Sequence, residues 1–335
     1  MKQLLKLTAA SLLVVGALGV QASTLSDVQA KGHVSCGVSK GLAGFSSADS
    51  SGTWTGVDVD VCRAVAAATL GDATKVKFVP LTAKERFTAL QSGEIDMLSR
   101  NTTWTITRDA SLGLNFAGVN YYDGQGFMVK SSLGVSSAME LGGAAICIQA
   151  GTTTELNLAD WGKANGIDYN SVVSDTNAQT LSNYDAGRCD VLTTDASGLY
   201  SMRAGANDPS EHVVLPEIIS KEPLGPVVRQ GDDEWFNIVK WTLIAMIQAE
   251  ESGVTSSNID TVTTNPTIER IAGRASQTHE YLHLSPSWSY DIIKQVGNYG
   301  ESFERNIGVN TPIGLSRGPN QLWTKGGILY APAFR

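Results

Sequence analysis

Several things are scarce or missing from this chain, and each absence removes a class of function. Of the 335 residues only 17% are charged and 7% aromatic, and acids outnumber bases for a formal net charge of −8. No basic excess or basic run offers a footprint for a nucleic-acid backbone, so a nucleic-acid partner is not expected. Past the first twenty-two residues there is no long apolar run, which removes a second membrane-spanning helix. No two of the four cysteines stand as C-x-x-C, which argues against a zinc ribbon. Neither a P-loop nor a G-x-G-x-x-G stretch is found, so no nucleotide site and no cofactor is expected.

What is present begins with an export signal. Lys2 and Lys6 make a short basic start, Leu7 to Val20 is apolar and small, and Val20-Gln21-Ala22 places small residues where a signal peptidase reads. This is the layout of a secretory signal peptide over residues 1–22, and it predicts a mature chain starting near Ser23 in the periplasm. The alternatives, an N-terminal apolar helix or an anchor, ask more length of this run than it has. No cysteine stands just after the cleavage point, so lipid attachment there is not suggested. The remaining chain, about 313 residues, is long enough for two lobes with their own cores. Losing two lysines takes its net charge to −10.

The periodicity then spells an α/β repeat. His33–Val38, Val76–Val79 and Ile95–Leu98 read as strands. Val57–Leu70 reads as a helix ended by Gly71, and a second helix runs to Leu90 from a Thr82-Ala83-Lys84-Glu85 capping box. The order repeats with strands at Ala145–Ile148, Ser171–Val173 and Asp190–Thr193, and helices at Thr152–Asn165 and within Thr176–Gly187. Strand–helix alternation implies mostly parallel sheets flanked by helices, and two such lobes leave a cleft where loops from the strand ends converge. Lys221-Glu222-Pro223-Leu224-Gly225-Pro226 suits a crossover between lobes. The predicted division is 1–22 signal peptide, 23–123 first part of lobe 1, 124–223 lobe 2, and 224–335 a return to lobe 1 plus a C-terminal extension, with hinge strands joining the lobes. Trp235–Glu250 reads as an apolar helix; the pattern after it is mixed. Cys36, Cys62, Cys147 and Cys189 allow three disulfide connectivities in an exported protein. Cys36–Cys62 with Cys147–Cys189 is preferred because each bridge then closes inside one lobe; four buried thiols remain the alternative.

Particular stretches carry a family resemblance. Gly56-Val57-Asp58-Val59-Asp60-Val61 and Leu90-Gln91-Ser92-Gly93-Glu94-Ile95-Asp96 resemble signatures of the periplasmic polar amino-acid-binding proteins of ABC transporters, solute-binding family 3. Ser99–Thr105, Tyr121–Phe127, Gln149–Asp160, Tyr184–Asp190 and Ile292–Glu301 resemble its long subgroup of general L-amino-acid-binding proteins. The resemblance spans nearly the whole mature chain. It implies a periplasmic-binding-protein-like fold, a monomer that closes on free L-amino acids, an inner-membrane ABC permease as partner, and no catalysis.

A receptor for a free amino acid needs a cation or donor cluster for the carboxylate and an anion for the ammonium. Arg108 is the candidate clamp, able to hold a carboxylate by two parallel hydrogen bonds. The resemblance gives it that role, with Asn101 and Thr103 as polar lining; a solvated surface arginine is the alternative. Thr152, Thr153 and Thr154 open a helix whose free N–H groups favour an anion, so the carboxylate could be gripped from both lobes; an ordinary capping box is the compatible alternative. The resemblance pairs Asp195 with the ammonium; a helix cap is the alternative. Ser39, Leu42 and Phe45, with Trp54, are side-chain pocket candidates, and core packing is the competing reading for the aromatics. Smaller relatives often stack aromatics on a cationic side chain. Leu42 and a small residue near Ala83 stand at the matching places here, which suits breadth more than a strict lysine or arginine receptor.

Two motifs point elsewhere. His279-Glu280-Tyr281-Leu282-His283 matches H-E-x-x-H, which as an exported zinc hydrolase would need a continuing helix and a third ligand, Asp291 or Glu301. Pro286 follows too soon for that helix. Gly37-Val38-Ser39-Lys40-Gly41 matches G-x-S-x-G, but a loop follows where a nucleophile elbow needs a helix. A receptor narrowed to glutamate, glutamine, aspartate and asparagine is the nearer alternative to a broad one.

Overall fold

A computed structural model describes residues 23–335 other than Thr264 and Ser276. The signal-peptide reading of residues 1–22 lies outside the described residues. The strands, in chain order, are β1 Val34–Ser39, β2 Ser47–Ala48, β3 Trp54–Thr55, β4 Val76–Leu81, β5 Met97–Leu98, β6 Leu114–Phe116, β7 Tyr121–Asp123, β8 Gln125–Lys130, β9 Ala145–Gln149, β10 Asn170–Ser174, β11 Val191–Asp195, β12 His212–Val214, β13 Glu222–Leu224 and β14 Val227–Arg229. The α-helices are α1 Thr24–Lys31, α2 Val57–Leu70, α3 Arg86–Gln91, α4 Thr153–Asn165, α5 Asn177–Asp185, α6 Ala196–Ala204, α7 Asp233–Glu251, α8 Pro266–Ile271, α9 Thr278–Leu282, α10 Trp288–Gln295 and α11 Tyr299–Asn306. Among the described residues no helix is long and apolar enough to cross a membrane.

These elements build the two-lobed α/β fold expected from the repeat. The first lobe carries a five-stranded sheet ordered β4-β1-β5-β14-β6, the second one ordered β10-β9-β11-β8-β12. Each has a parallel core from the strand–helix repeat, β4, β1 and β5 in one and β10, β9 and β11 in the other. Each is then extended by antiparallel strands, β14 with β6 and β8 with β12, which the repeat pattern did not disclose. β8 is buried over Gln125–Val129 and so lacks the alternation that marks a half-exposed strand.

Between the sheets the chain crosses twice, on β7 and on β13. The two strands pair antiparallel, with Glu222 opposite Asp123 and Leu224 opposite Tyr121. Glycines at the ends of this ladder answer a steric demand. A Cβ on Gly124 would lie 2.3 Å from Ile218 Cγ2 and 2.7 Å from Ser220 O, and one on Gly225 would lie 1.9 Å from Gly118 O. The crossing strands therefore pass closer than any side chain permits.

α2 is apolar nearly all round and buried at twelve of its positions, because both of its sides are covered. One side lies on β1, where Cys62 bridges to Cys36. The extension covers the other: α10 packs on α2 and α7, and α11 joins them. The region left unplaced by the sequence is therefore helical and part of the first lobe's core, with Trp288, Ile292, Ile293 and Phe303 buried in it. The two acids of the Asp58-Val59-Asp60 stretch divide the work. Asp60 accepts from Ser302 Oγ (2.6 Å), Arg305 Nη2 (2.6 Å) and Asn306 Nδ2 (2.7 Å), which ties α11 to α2. Further along, Asn320 accepts from Tyr122 N at 2.6 Å and donates to Tyr122 O at 3.0 Å, so the extension also clasps the crossing strand β7.

The second bridge, Cys147–Cys189, joins β9 to the turn before β11. Both pairings are the intralobe ones preferred from the sequence, and among the described residues no cysteine is free. Loops of this length restrict the unfolded chain enough to contribute about 3–4 kcal/mol each in a chain-entropy account.

Smaller differences concern boundaries. The reciprocal Thr82–Glu85 capping contacts exist (3.2 and 2.9 Å), but regular helix begins only at Arg86. The helix expected from Thr152 starts at Thr153, with Thr152 as its N-cap. Asp195 is the last residue of β11 and no longer a loop residue after it.

Candidate functional site

Asp58, in the first turn of α2, sets the site loop that follows β5. Buried, it accepts from Asn101 N (2.7 Å), Asn120 Nδ2 (3.0 Å) and Ser99 Oγ (3.3 Å). Burial pushes its carboxyl up, and the bond from Asn120 leads those that oppose this. The anchored loop holds Asn101 at φ +33°, a left-handed geometry that asparagine tolerates better than most side chains. Its side chain reaches toward Asp195 in the other lobe and favours the ionised form of that carboxyl.

Three arginines converge on this loop. Arg108 lies in a π-helical turn, Thr107–Ser111, where it is 7% exposed; its Nη1 donates to Thr103 O at 2.8 Å and its guanidinium lies over Phe87. Arg86, at the start of α3, also lies over Phe87; it makes long contacts to Thr102 Oγ1 (3.4 Å) and Arg100 O (3.5 Å), and its Nε has no hydrogen-bond partner. Arg100 donates from Nε to Leu81 O at 3.0 Å. Burial, then the charges of Arg108 and Arg100, drive Arg86 well below its ordinary pKa, against the pull of Asp195 and Glu222. Burial brings Arg100 down to about 10 and lowers Arg108, which Glu222 and Asp195 oppose.

Three acids face them. Asp195 is pushed well above the carboxylate range by burial first, then by Asp123 and Glu222. Asp123, at the end of β7, is pushed up to about 6 by burial despite bonds from Ser197 Oγ and Gly124 N. Glu222, on β13, accepts from Thr103 Oγ1 (2.5 Å), Thr153 Oγ1 (2.9 Å), Asn157 Nδ2 (2.6 Å) and Ser220 Oγ (2.7 Å). Buried acids and arginines this close offset one another's charge in part, and together they present both signs of charge that a zwitterion requires.

The sequence-predicted residues fall into two groups. Arg108, Asn101, Thr103, Thr153 and Asp195 meet at the junction of the lobes. Thr103 Oγ1 stands 3.3 Å from Thr153 Oγ1, so the arginine loop and the start of α4 touch. Thr152 donates to Gln149 O (2.7 Å), and the carbonyl of buried Thr154 accepts from Gln125 Nε2 (3.2 Å). No side chain caps α4, which leaves its first amide groups for an anion. Ser39 lines a cavity of ≈ 80 Å³ with Arg100, Gln149, Thr82 and Asn177. Leu42 and Phe45 belong to an apolar cluster that runs from the first lobe into the second, Phe45 edge-on to Tyr121 at 5.4 Å. Trp54 packs on Phe78 of β4. Contacts cross the cleft at Ser201 Oγ to Ala43 O (2.6 Å), Lys84 to Asp175 (2.7 Å) and Asn177 Nδ2 to Gly41 O (3.4 Å), so the lobes are closed on each other.

Sequence reasoning missed Arg86, Arg100, Asp123 and Glu222. Arg86 left a signal: it stands on the helix face that buries Ala89 and Leu90, where an apolar residue is expected. Glu222 left none beyond the Pro/Gly stretch around it.

The H-E-x-x-H match does not make a zinc helix. α9 ends at Leu282, and His283 turns out in left-handed geometry to meet Glu234. Asp291 is held by Ser287 (2.6 Å), and Glu301 caps α11 through Asn298 N (2.8 Å). Among the described residues no group of three His, Cys, Asp or Glu side chains is placed to hold a metal. Ser39 of the G-x-S-x-G match ends β1 and is followed by the loop bridge Leu42–Ser46, not a helix.

Acid titration of the site has a readable sign. A carboxyl raised from 3.8 to about 6, as in Asp123, binds protons more tightly folded than unfolded. The Asp123 contribution to ligand-free stability therefore falls as pH rises from about 4 to about 6 and then levels, and the raised carboxyl of Asp195 acts in the same direction. An ammonium ligand needs the ionised acids, so affinity falls as pH drops through about 6 and binding there expels protons. Calorimetry in two buffers of different ionisation enthalpy reads that release; identical heats at pH 5.5 would contradict it.

Known proteins are similar to this chain in sequence and in fold. Residues 34–256 match the family of bacterial extracellular solute-binding proteins, family 3. The chain is 60% identical over 330 residues, 97% of each chain, to the general L-amino acid-binding periplasmic protein AapJ of Rhizobium johnstonii. It is 55% identical, over 96% of each chain, to the glutamate/glutamine/aspartate/asparagine-binding protein BztA of Rhodobacter capsulatus. A periplasmic binding protein of an ABC transporter from Brucella ovis, solved with glutathione bound, superposes with a TM-score of 0.91 at 56% identity, over 94% of this chain and all of that one. The chain belongs to family 3 of the bacterial extracellular solute-binding proteins.

Proposed function

We propose that this protein is the periplasmic solute-binding component of an amino-acid ABC importer, exported through residues 1–22, and that it takes free L-α-amino acids of varied side chain by lobe closure. The observation that carries the reading is the meeting of Arg108 and the uncapped start of α4 with Asp195 and Asn101, from opposite lobes, at one buried junction. The first pair suits a carboxylate and the second an ammonium, the two groups every α-amino acid shares. Both grips are complete only when the lobes meet, so ligand favours the closed state through its differential contacts. In this reading the protein is a monomer without catalytic activity, and it delivers its ligand to an inner-membrane permease. Residues 23–123 and 224–335 move as one unit and 124–223 as the other.

Breadth is supported by the name of the Rhizobium relative. A narrower receptor for acidic and amide side chains is favoured by one feature, the donor-rich cavity of Ser39, Thr82, Arg100, Gln149 and Asn177. Titration calorimetry with all twenty amino acids separates the two. Binding of several chemically distinct side chains at micromolar or tighter affinity is the expected outcome. Binding of glutamate, glutamine, aspartate and asparagine alone would replace breadth with the narrower reading, and no binding at all would sink both.

A further inference from the structure

Glu222 is a buried carboxylate with no cation in contact among the described residues. Its four partners are neutral donors from three parts of the molecule: Thr103 on the arginine loop of the first lobe, Thr153 and Asn157 on α4 of the second, and Ser220 on the crossing segment. One oxygen, Oε2, accepts from both lobes at once, from Thr103 at 2.5 Å and from Thr153 at 2.9 Å. Burying a carboxylate is expensive unless its lone pairs are filled. Here they are filled only while the lobes are together, because separating them must remove either Thr103 or the Thr153–Asn157 pair. Glu222 itself stays on the crossing ladder, opposite Asp123.

We propose that Glu222 is a closure latch, a positioning residue that holds the two halves of the carboxylate grip in register and slows ligand escape. The Thr103 segment is fixed from both sides, its hydroxyl on Glu222 and its carbonyl on Arg108 Nη1. The same carboxylate fixes the first and second turns of α4 through Thr153 and Asn157. Arginine clamp and helix start are thus aligned through one side chain that need not touch the ligand. The latch acts on the closed state, so it slows dissociation and leaves the encounter alone.

The inference rests on the amino-acid-binding reading for its ligand, and stopped-flow kinetics with L-glutamate tests it. Glu222→Ala should raise the dissociation rate roughly 10- to 100-fold, the loss of about one hydrogen bond to a charged acceptor across the cleft, with the association rate little changed. Glu222→Gln should recover most of this, since an amide still accepts on one side and donates on the other. Asn157→Ala should raise the rate less, and adding it to Glu222→Ala should change nothing further, because the two act through one contact. A Glu222→Ala dissociation rate within threefold of the parent, a loss carried by association alone, or effects of the two substitutions that multiply overturns the latch. If Glu222→Ala does not fold, the same cycle is run with Glu222→Leu, which fills the space and accepts no hydrogen bond, and Asn157→Ala. If the parent binds no amino acid, the functional reading fails by itself. Small-angle scattering of the ligand-free proteins then decides: a larger radius of gyration in Glu222→Ala supports the latch, and superimposable curves overturn it.

Discussion

Arg108→Ala is expected to weaken amino-acid binding by about 2–4 kcal/mol, the cost of removing one partner from a buried charged contact. The guanidinium is 7% exposed, braced by Thr103 O and by the face of Phe87, so its position does not depend on ligand. Preorganisation of this kind means that little ordering cost offsets the contact. Arg86 lies on the other contact of the same ring, and its unpartnered Nε could carry part of the load. The loss in Arg108→Ala should therefore be incomplete, and the Arg86→Ala/Arg108→Ala pair should exceed the sum of the single losses. Calorimetric affinities for one ligand across the four proteins check both points. An unchanged affinity in Arg108→Ala would remove it from the carboxylate grip.

The second large effect is expected at Asp195. Asp195→Asn keeps the shape and the contact with Asn101 but removes the negative charge, and should weaken every α-amino acid by about 2–4 kcal/mol. Uniformity is the diagnostic. The ammonium is common to all ligands, so the losses for glutamate, leucine and lysine should agree within about 0.5 kcal/mol. A loss confined to lysine and arginine would place Asp195 against the side chain instead.

The parts of this molecule legible in its sequence are those governed by local rules. The β1-α2-β4-α3-β5 repeat, its counterpart around β9, and the capping residues each follow from periodicity and turn chemistry within a few positions. So did the bridge pairing, once the two lobes were inferred. Long-range partnerships were not legible. β8 and β14 are buried strands inserted antiparallel, and nothing in a short apolar run states its orientation. The extension read as irregular because its short helices are amphipathic against α2 and α7, a surface that exists only after folding. In the site, Arg108, Asn101, Thr103 and Asp195 came from motif resemblance. Arg86 and Glu222 are functional candidates because of whom they meet, 22 and 114 residues from Arg108 along the chain, and no local pattern encodes such a meeting.

The two disulfides join cysteines that are consecutive in the chain, Cys36 with Cys62 and Cys147 with Cys189. A chain emerging N-terminus first into an oxidising space therefore has Cys62 in hand well before Cys147 arrives, and the first bridge forms with no wrong thiol to compete. Neither bridge spans the crossing strands or the cleft. Oxidation can thus be finished, and each half covalently braced, without recording whether the jaws are open or shut. A redox change would alter how long the protein survives between transport cycles, while leaving the stroke of each cycle untouched.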